Sequence, residues 1–191
     1  SYAQGLRKLR NMFVRRDGGV SNRSGFRLWG PSPYQYDVTS LYNVRKIRTF
    51  SDIPLIGMGY INNMYHYGFE KFVEDFKDAG MDGVIIPDVP HEESGDMRRI
   101  AAAHAFILAE FITPGTTEAR MKEICQDASG FIYCVSNNGV TGVKKVDYST
   151  IGTVCTKARS YTKTPLAVGF GIGSPEAAVE AAAHADAVIV G

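Results

Sequence analysis

Short apolar runs alternate with amphipathic segments along most of the chain, from residue 51 onward. Most of these runs are continuous rather than alternating in polarity, which is typical of parallel strands that are covered on both faces. We predict six strands, which are Leu55–Tyr60, Gly83–Pro87, Phe106–Ile112, Gly130–Val135, Leu166–Gly171 and Ala187–Gly191.

The segments between these runs have helical patterns. Apolar residues recur at positions i, i+3, i+4 and i+7 in stripes that begin at Phe69, Met121 and Ile151. Ser174-Pro175-Glu176 combines a capping residue, a proline suited to the first helical turn and an acid, so it predicts the start of a helix. We expect this helix to run to about His184.

Six strands with a helix after each of the first five predict an α/β fold built from repeated βα units. This is two units short of a TIM (β/α)8 barrel, whose usual length is about 250 residues. We predict an incomplete barrel over residues 51–191. Periodicity alone leaves an open, doubly wound sheet as the alternative.

Residues 1–50 do not follow this pattern, and we treat them as an atypical basic N-terminal segment of unassigned structure. They hold ten Lys or Arg against two Asp, whereas the rest of the chain holds eleven Lys or Arg against eighteen Asp or Glu. Gly18–Gly25 is rich in turn-forming residues, and only Val44–Phe50 has the pattern of the end of an amphipathic helix. The basic charge is a weak indication of nucleic-acid binding, but no recognised motif accompanies it, so we predict no nucleic-acid partner.

The composition, with 45% hydrophobic and 21% charged residues, is that of a soluble globular protein. No apolar stretch approaches the roughly 20 residues that cross a bilayer, and no signal-peptide pattern is present, so we expect no membrane partner. The three cysteines include no C-x-x-C pair, which favours free thiols in the cytoplasm over disulfides or a zinc site. The histidines lack metal-ligand spacing, and we expect them at solvent-facing positions: His66, His91, His104 and His184.

Candidate chemistry follows the strands, because the functional face of a parallel barrel lies at the carboxyl ends of its strands. Tyr60, after the first strand, either lines a pocket or belongs to the core. Asp88, after the second, is either structural or catalytic, and the structural role is favoured. Asn137-Asn138-Gly139, after the fourth, forms either a lid or a surface turn. Gly169–Gly173 leads into the helix at Pro175 and either binds phosphate or simply turns the chain.

Six blocks of sequence carry a family resemblance. They are Pro54–Asn62, Ala79–Ser94, Gly130–Ser136, Gly139–Gly142, Gly169–Ile172 and Ala187–Gly191. In order and spacing these blocks resemble the tryptophan synthase alpha-subunit family, over roughly three-quarters of the chain. The resemblance implies a barrel rather than an open sheet. It also implies that residues 51–191 supply strands three to eight of the family fold and that the family's C-terminal segment is missing.

The family cleaves indole-3-glycerol phosphate to indole and glyceraldehyde 3-phosphate in tryptophan biosynthesis, a carbon–carbon lyase reaction without cofactor or metal. The resemblance implies that the substrate contacts Tyr60, Tyr133, Thr141 and Phe170. It implies that backbone N–H groups bind the phosphate at Gly142, Gly171 and Gly191. It further implies that Asn62 and Pro90 face the beta subunit of an alpha2-beta2 heterotetramer.

The resemblance does not identify catalytic residues. The family's two catalytic acids, a glutamate and an aspartate, lie in its first quarter, and residues 1–50 contain no glutamate. Two alternatives therefore stay open. One is a different phosphate-binding barrel, such as a sugar-phosphate isomerase with Asp88 as its base. The other is a catalytically degenerate barrel that keeps its phosphate and beta-subunit surfaces.

Overall fold

All six predicted strands are present in the computed structural model, which describes residues 38–135, 148–172 and 174–190. Helices separate consecutive strands, and a short 3₁₀ turn, His91–Glu93, follows the second strand. The elements in chain order are α1 (Val38–Arg48), β1 (Ile56–Met58), α2 (Ile61–Tyr67), α3 (Phe69–Ala79), β2 (Gly83–Ile85), α4 (Gly95–Ala103), β3 (Ile107–Ile112), α5 (Glu118–Asp127), β4 (Ile132–Val135), α6 (Tyr148–Arg159), β5 (Leu166–Gly169), α7 (Pro175–Ala182) and β6 (Ala187–Ile189).

The strands pair in their order along the chain, β1-β2-β3-β4-β5-β6, and every pair is parallel. A doubly wound sheet reverses its strand order at a switch point. The described strands show no such reversal, so their order excludes the open-sheet alternative. Strands β2 and β5 are buried along their whole length, as their continuous apolar sequences predict.

The described residues form two compact units, with the boundary inside β3. The first unit ends at Ala109, and the second begins at Glu110. The first unit has a core of aromatic side chains. Phe72 lies 4.5 Å from Phe76 and 6.4 Å from Phe106, measured between ring centroids. Phe72, Val73 and Phe76 are fully buried, which confirms the predicted stripe on α3.

Helix α1 packs into this same core through Val44 and Ile47. It begins at Val38, several residues before the helical pattern that the sequence shows at Val44–Phe50. The predicted division of the chain at residue 50 stays a prediction, because residues 1–37 lie outside the described part.

The second unit has two different sheet faces. Ile112, Cys134 and Val168 are in register on neighbouring strands and belong to the cluster that packs under the helices. Phe111 and Tyr133, each one residue before these on its strand, point to the opposite face because side chains alternate along a strand. The predicted stripes on α5 and α6 are confirmed, since Met121 and Ile151 at their starts are buried.

Strands β1 and β5 and helix α7 end a few residues earlier than the sequence predicts. Tyr60 is the N-cap of α2, and Phe170 and Gly171 have φ angles of 79° and 75°, which a strand does not accommodate. Helix α7 begins as predicted, with the Ser174 hydroxyl accepting a hydrogen bond from the Ala177 N–H, but it ends at Ala182.

The expectation that all four histidines face solvent is wrong for His91. Its residue is only 9% exposed, because it begins the 3₁₀ turn and packs beneath α4. The Arg98 guanidinium donates to the His91 carbonyl at 2.6 Å and contacts its ring Nδ1 at 3.2 Å, which gives the buried imidazole polar neighbours.

None of the helices among the described residues is both long enough and apolar enough to span a lipid bilayer.

Candidate functional site

Asp88 ties together the two loops that follow β1 and β2. Its carboxylate accepts the Ile61 N–H through both oxygens, at 3.0 and 3.3 Å, and so satisfies a free donor in the first turn of α2. An acid at a helix N-terminus also complements the helix dipole. This geometry gives Asp88 a structural role, which is the role that the sequence favours.

Three predicted site residues lie at this same end of the first unit. Tyr60 precedes α2 and is 52% exposed, so its ring is available to a ligand or a partner. Asn62, in the first turn of α2, and Pro90, before the 3₁₀ turn, are both exposed. The Arg98 guanidinium fixes the turn after Pro90 by donating to the Ser94 hydroxyl at 2.5 Å.

An aromatic pair lies on the face of the second unit that the helices do not cover. The rings of Phe111 on β3 and Tyr133 on β4 are stacked, with centroids 5.2 Å apart and planes 24° apart. Tyr133 was predicted to contact substrate, whereas Phe111 was not. The continuous apolar sequence of β3 does not show which residues lie on which face of the sheet. The pairing of β3 with β4 shows that Phe111 lies on the same face as Tyr133.

Gly169 on β5 provides the space that the Tyr133 ring occupies. A Cβ atom built on Gly169 would lie 2.5 Å from Cζ and 2.8 Å from Cε1 of Tyr133, far inside van der Waals contact. The missing side chain therefore lets the aromatic ring reach across to β5. In this way Tyr133 is brought next to the turn that begins at Phe170.

Phe170 and Gly171 both adopt the left-handed backbone conformation. Glycine tolerates this region, but a side chain such as that of Phe170 costs about 1–2 kcal/mol there. Such strain persists only where the surrounding structure holds the chain in place, and it is common at ligand sites. Gly171 itself is exposed, and α7 begins four residues later with its N-terminus. Exposed backbone next to a helix N-terminus is suited to binding an anion.

A buried tyrosine, which the sequence does not single out, donates a hydrogen bond to the turn at Phe170 and Gly171. Tyr148, the first residue of α6, is 2% exposed, and its hydroxyl donates to the Gly171 carbonyl at 3.3 Å. Burial raises the pKa of the Tyr148 hydroxyl, with a smaller contribution from the Glu180 carboxylate. The hydroxyl is thus a protonated donor at neutral pH, as any tyrosine is, and the raised pKa extends this range to more alkaline pH.

Three predicted site residues lie outside the described part of the chain: Thr141, Gly142 and Gly191. Their roles stay predictions. Within the described ranges, no three His, Cys, Asp or Glu side chains come together as a set of metal ligands.

Comparisons with family models, curated proteins and solved structures all indicate the same family. The profile described as "Tryptophan synthase alpha chain" matches residues 36–191. The tryptophan synthase alpha chain of Methanosarcina mazei is 48% identical over 141 residues, which are 73% of this chain and 51% of that protein. The chain thus spans about half the length of the curated relatives it matches.

Solved structures agree with the sequence comparison. Tryptophan synthase subunit alpha from Campylobacter jejuni has a TM-score of 0.72 at 32% identity, over 81% of this chain and 62% of that one. A structure described as the tryptophan synthase α2β2 complex of Pyrococcus furiosus has a TM-score of 0.71 at 28% identity, over 80% and 62% of the two chains. The predicted fold class, an incomplete TIM barrel, is confirmed.

Proposed function

Because this chain belongs to the tryptophan synthase alpha chain family, we propose that it serves the cleavage of indole-3-glycerol phosphate to indole and glyceraldehyde 3-phosphate. One observation within residues 110–190 carries this proposal. The stacked rings of Phe111 and Tyr133 adjoin the left-handed turn at Phe170 and Gly171. An apolar, aromatic surface beside exposed backbone N–H groups suits a ligand with an indole ring at one end and a phosphate at the other.

The indole ring would contact Phe111 and Tyr133, with Phe170 as a further aromatic contact. A substrate contact at Tyr60 stays a prediction of the family resemblance. Flat rings prefer offset-stacked or edge-on neighbours, and each aromatic contact contributes about 0.5–1.5 kcal/mol beyond simple burial. The phosphate would bind backbone N–H groups at Gly171, and we propose Gly142 and Gly191 as further donors. Thr141 would contact substrate from the same segment as Gly142.

The reaction is a retro-aldol cleavage, in which the indole ring gains a proton and the glycerol hydroxyl loses one. Two acidic groups in different environments divide such work. Asp88 already accepts the Ile61 N–H, so we assign it no proton transfer. Residues 1–50 contain no glutamate. We therefore propose the substrate-binding walls of this lyase site and assign no catalytic acid.

A beta subunit is the proposed partner. Asn62 and Pro90 are both exposed and lie at the carboxyl ends of β1 and β2, the end at which barrel enzymes bind their substrates. The solved neighbour from Pyrococcus furiosus is described as an α2β2 complex. The three cysteines are free and buried, which fits work in the reducing cytoplasm.

The proposal is tested by adding indole-3-glycerol phosphate to the full chain, with and without a tryptophan synthase beta subunit and serine, and following the release of glyceraldehyde 3-phosphate. We expect turnover that rises when the beta subunit is present and that indole-propanol phosphate inhibits. Phe111→Leu should raise KM, because it removes one aromatic wall. Phe106→Leu is the control, since it makes the same substitution at a ring that packs in the other core.

Two results would count against this function. Binding of a sugar phosphate without binding of indole-propanol phosphate would favour a different barrel enzyme. Activation of the beta subunit without any release of indole would favour a degenerate barrel that has kept only its binding surfaces.

A further inference from the structure

Tyr148 connects the start of α6 to the turn after β5, although the two residues it joins are 23 positions apart. Its side chain is part of the cluster that packs under the helices of the second unit. The hydroxyl is the polar tip of an otherwise buried ring, and it reaches out of the core to the carbonyl of the exposed Gly171.

This hydrogen bond sets the direction of a peptide plane. In a trans peptide the C=O of one residue and the N–H of the next point in opposite directions. The Gly171 carbonyl points toward the buried Tyr148, so the Ile172 N–H points to the opposite side, away from the core. Gly171 has a left-handed φ of 75° and no Cβ atom that would oppose a flip of this peptide plane. The orientation of the plane therefore depends on contacts such as the hydrogen bond from Tyr148.

We propose that Tyr148 is a positioning residue for phosphate binding, whose hydroxyl holds the Gly171–Ile172 peptide so that the Ile172 N–H faces the bound phosphate in addition to the Gly171 N–H. This inference rests on the proposed function, because it assumes that the turn after β5 binds the phosphate. Tyr148 itself does not touch the ligand. It acts by keeping the donor aligned before the ligand arrives, which reduces the ordering that binding requires.

Burial supports this role, since a buried hydroxyl that lost the Gly171 carbonyl would be left without the acceptor shown here. The hydroxyl is protonated over the neutral range, so it is available to donate this hydrogen bond. The same hydrogen bond restrains Gly171, the residue that follows the strained Phe170.

The test compares the full chain with two variants, Tyr148→Phe and Tyr161→Phe. Tyr161 is the matched control, since its hydroxyl also donates a hydrogen bond, to Glu118 Oε1 at 2.6 Å, on the surface between α5 and α6. Binding of inorganic phosphate is followed by titration calorimetry. We expect Tyr148→Phe to bind phosphate about five- to tenfold more weakly, the effect of losing one hydrogen bond, and Tyr161→Phe to bind as the unmodified chain does.

Amide hydrogen exchange supplies a second readout. Phosphate should slow the exchange of the Ile172 N–H in the unmodified chain, and Tyr148→Phe should speed it in the absence of phosphate. Unchanged affinity in a folded Tyr148→Phe variant would overturn this inference alone. So would phosphate binding that leaves the Ile172 N–H unprotected. No phosphate binding by the unmodified chain would overturn the proposed function together with this inference.

Discussion

Replacing Asp82 with alanine should destabilise the first unit more than any ion pair on its surface could explain. Asp82 precedes β2, and its Oδ2 atom accepts two hydrogen bonds. One comes from the Leu55 N–H at 2.8 Å, and the other from Arg48 Nη2 at 2.5 Å. The Asp82 N–H donates in return to the Leu55 carbonyl at 2.9 Å. The carboxylate therefore clamps the chain entering β1 to the chain entering β2.

The size of the stability loss depends on which hydrogen-bond donors lose their acceptor when the Asp82 carboxylate is removed. Leu55 is 5% exposed, so Asp82→Ala leaves a buried N–H without its acceptor, at a cost of about 1–3 kcal/mol. The ion pair adds about 1 kcal/mol or less, because the Asp82 side chain is 41% exposed. Arg48 stays anchored in either case, since it also donates to the carbonyls of Gly80 and Ile53. We expect a total loss of about 2–3 kcal/mol.

Asp82→Asn separates the two contributions. Asparagine keeps an oxygen for the Leu55 N–H but loses the negative charge, so it should cost only about 1 kcal/mol. Asp96→Ala is the control for an ion pair without a clamp. Asp96 pairs with Arg99 at 3.3 Å, both side chains are largely exposed, and the loss should be at most about 1 kcal/mol.

Urea unfolding followed by circular dichroism measures these differences. With m-values of about 1–3 kcal/mol/M, Asp82→Ala should lower the midpoint by about 1 M or more. Amide exchange at Leu55 should accelerate in Asp82→Ala and much less in Asp82→Asn. Equal losses for the two variants, or a loss for Asp82→Ala no larger than that for Asp96→Ala, would refute the reasoning.

The same arrangement recurs in the second unit and gives an independent repeat of this test. Asp186, before β6, accepts the Leu166 N–H at 2.8 Å and pairs with Arg159, the last residue of α6. Its own N–H donates to the Leu166 carbonyl at 2.9 Å. In both units the arginine lies seven residues before the leucine. Asp186→Ala should therefore match Asp82→Ala in size.

Three further predictions follow from single side chains. Gly83→Ala should cost about 3 kcal/mol in urea unfolding, because its Cβ would lie 2.5 Å from the Ile107 carbonyl oxygen, whereas Gly95→Ala, with no atom within 4 Å, should be neutral or stabilise by about 0.5 kcal/mol. Ser174→Ala should lower stability by about 1 kcal/mol, and Ser174→Gly by only a few tenths. Both remove the capping hydroxyl, but glycine is a tolerated N-cap residue and alanine is not. Spectrophotometric titration should show a tyrosine with a pKa of about 12, which is Tyr67, raised by burial and then by its hydrogen bond to Asp75. Since the fold holds the protonated form, this stabilisation is complete below pH 10 and is lost between pH 10 and 12, and Asp75→Asn should lower the pKa of Tyr67 part of the way to 10.

The strands and the main helices could be predicted because a buried face requires apolar residues at a regular spacing, and that spacing is visible in the sequence. The stripe at Phe72 and Phe76 is visible in the sequence and buried in the fold. The cap at Ser174 is equally local, since its acceptor and its donor lie three residues apart. These features depend on neighbours along the chain, so the sequence is sufficient for them.

The features that the sequence missed depend on partners distant along the chain. Phe111 stacks on Tyr133 only because strand pairing sets the two residues side by side. Tyr148 matters only because its hydroxyl meets Gly171, 23 residues away. His91 was expected at the surface, and its burial follows from the packing of the turn against Arg98. No period or local motif contains that information.

The central claim is that the Phe111–Tyr133 pair and the turn at Gly171 grip the two ends of one phosphorylated indole compound. Nuclear magnetic resonance of the isotope-labelled chain, titrated with indole-propanol phosphate and then with indole-propanol, tests it directly. We expect the phosphate compound to shift the ring signals of Phe111 and Tyr133 together with the Gly171 amide, and the alcohol to shift the ring signals alone. Ring signals that do not respond to either compound, or a Gly171 amide that does not respond to the phosphate, would contradict the account.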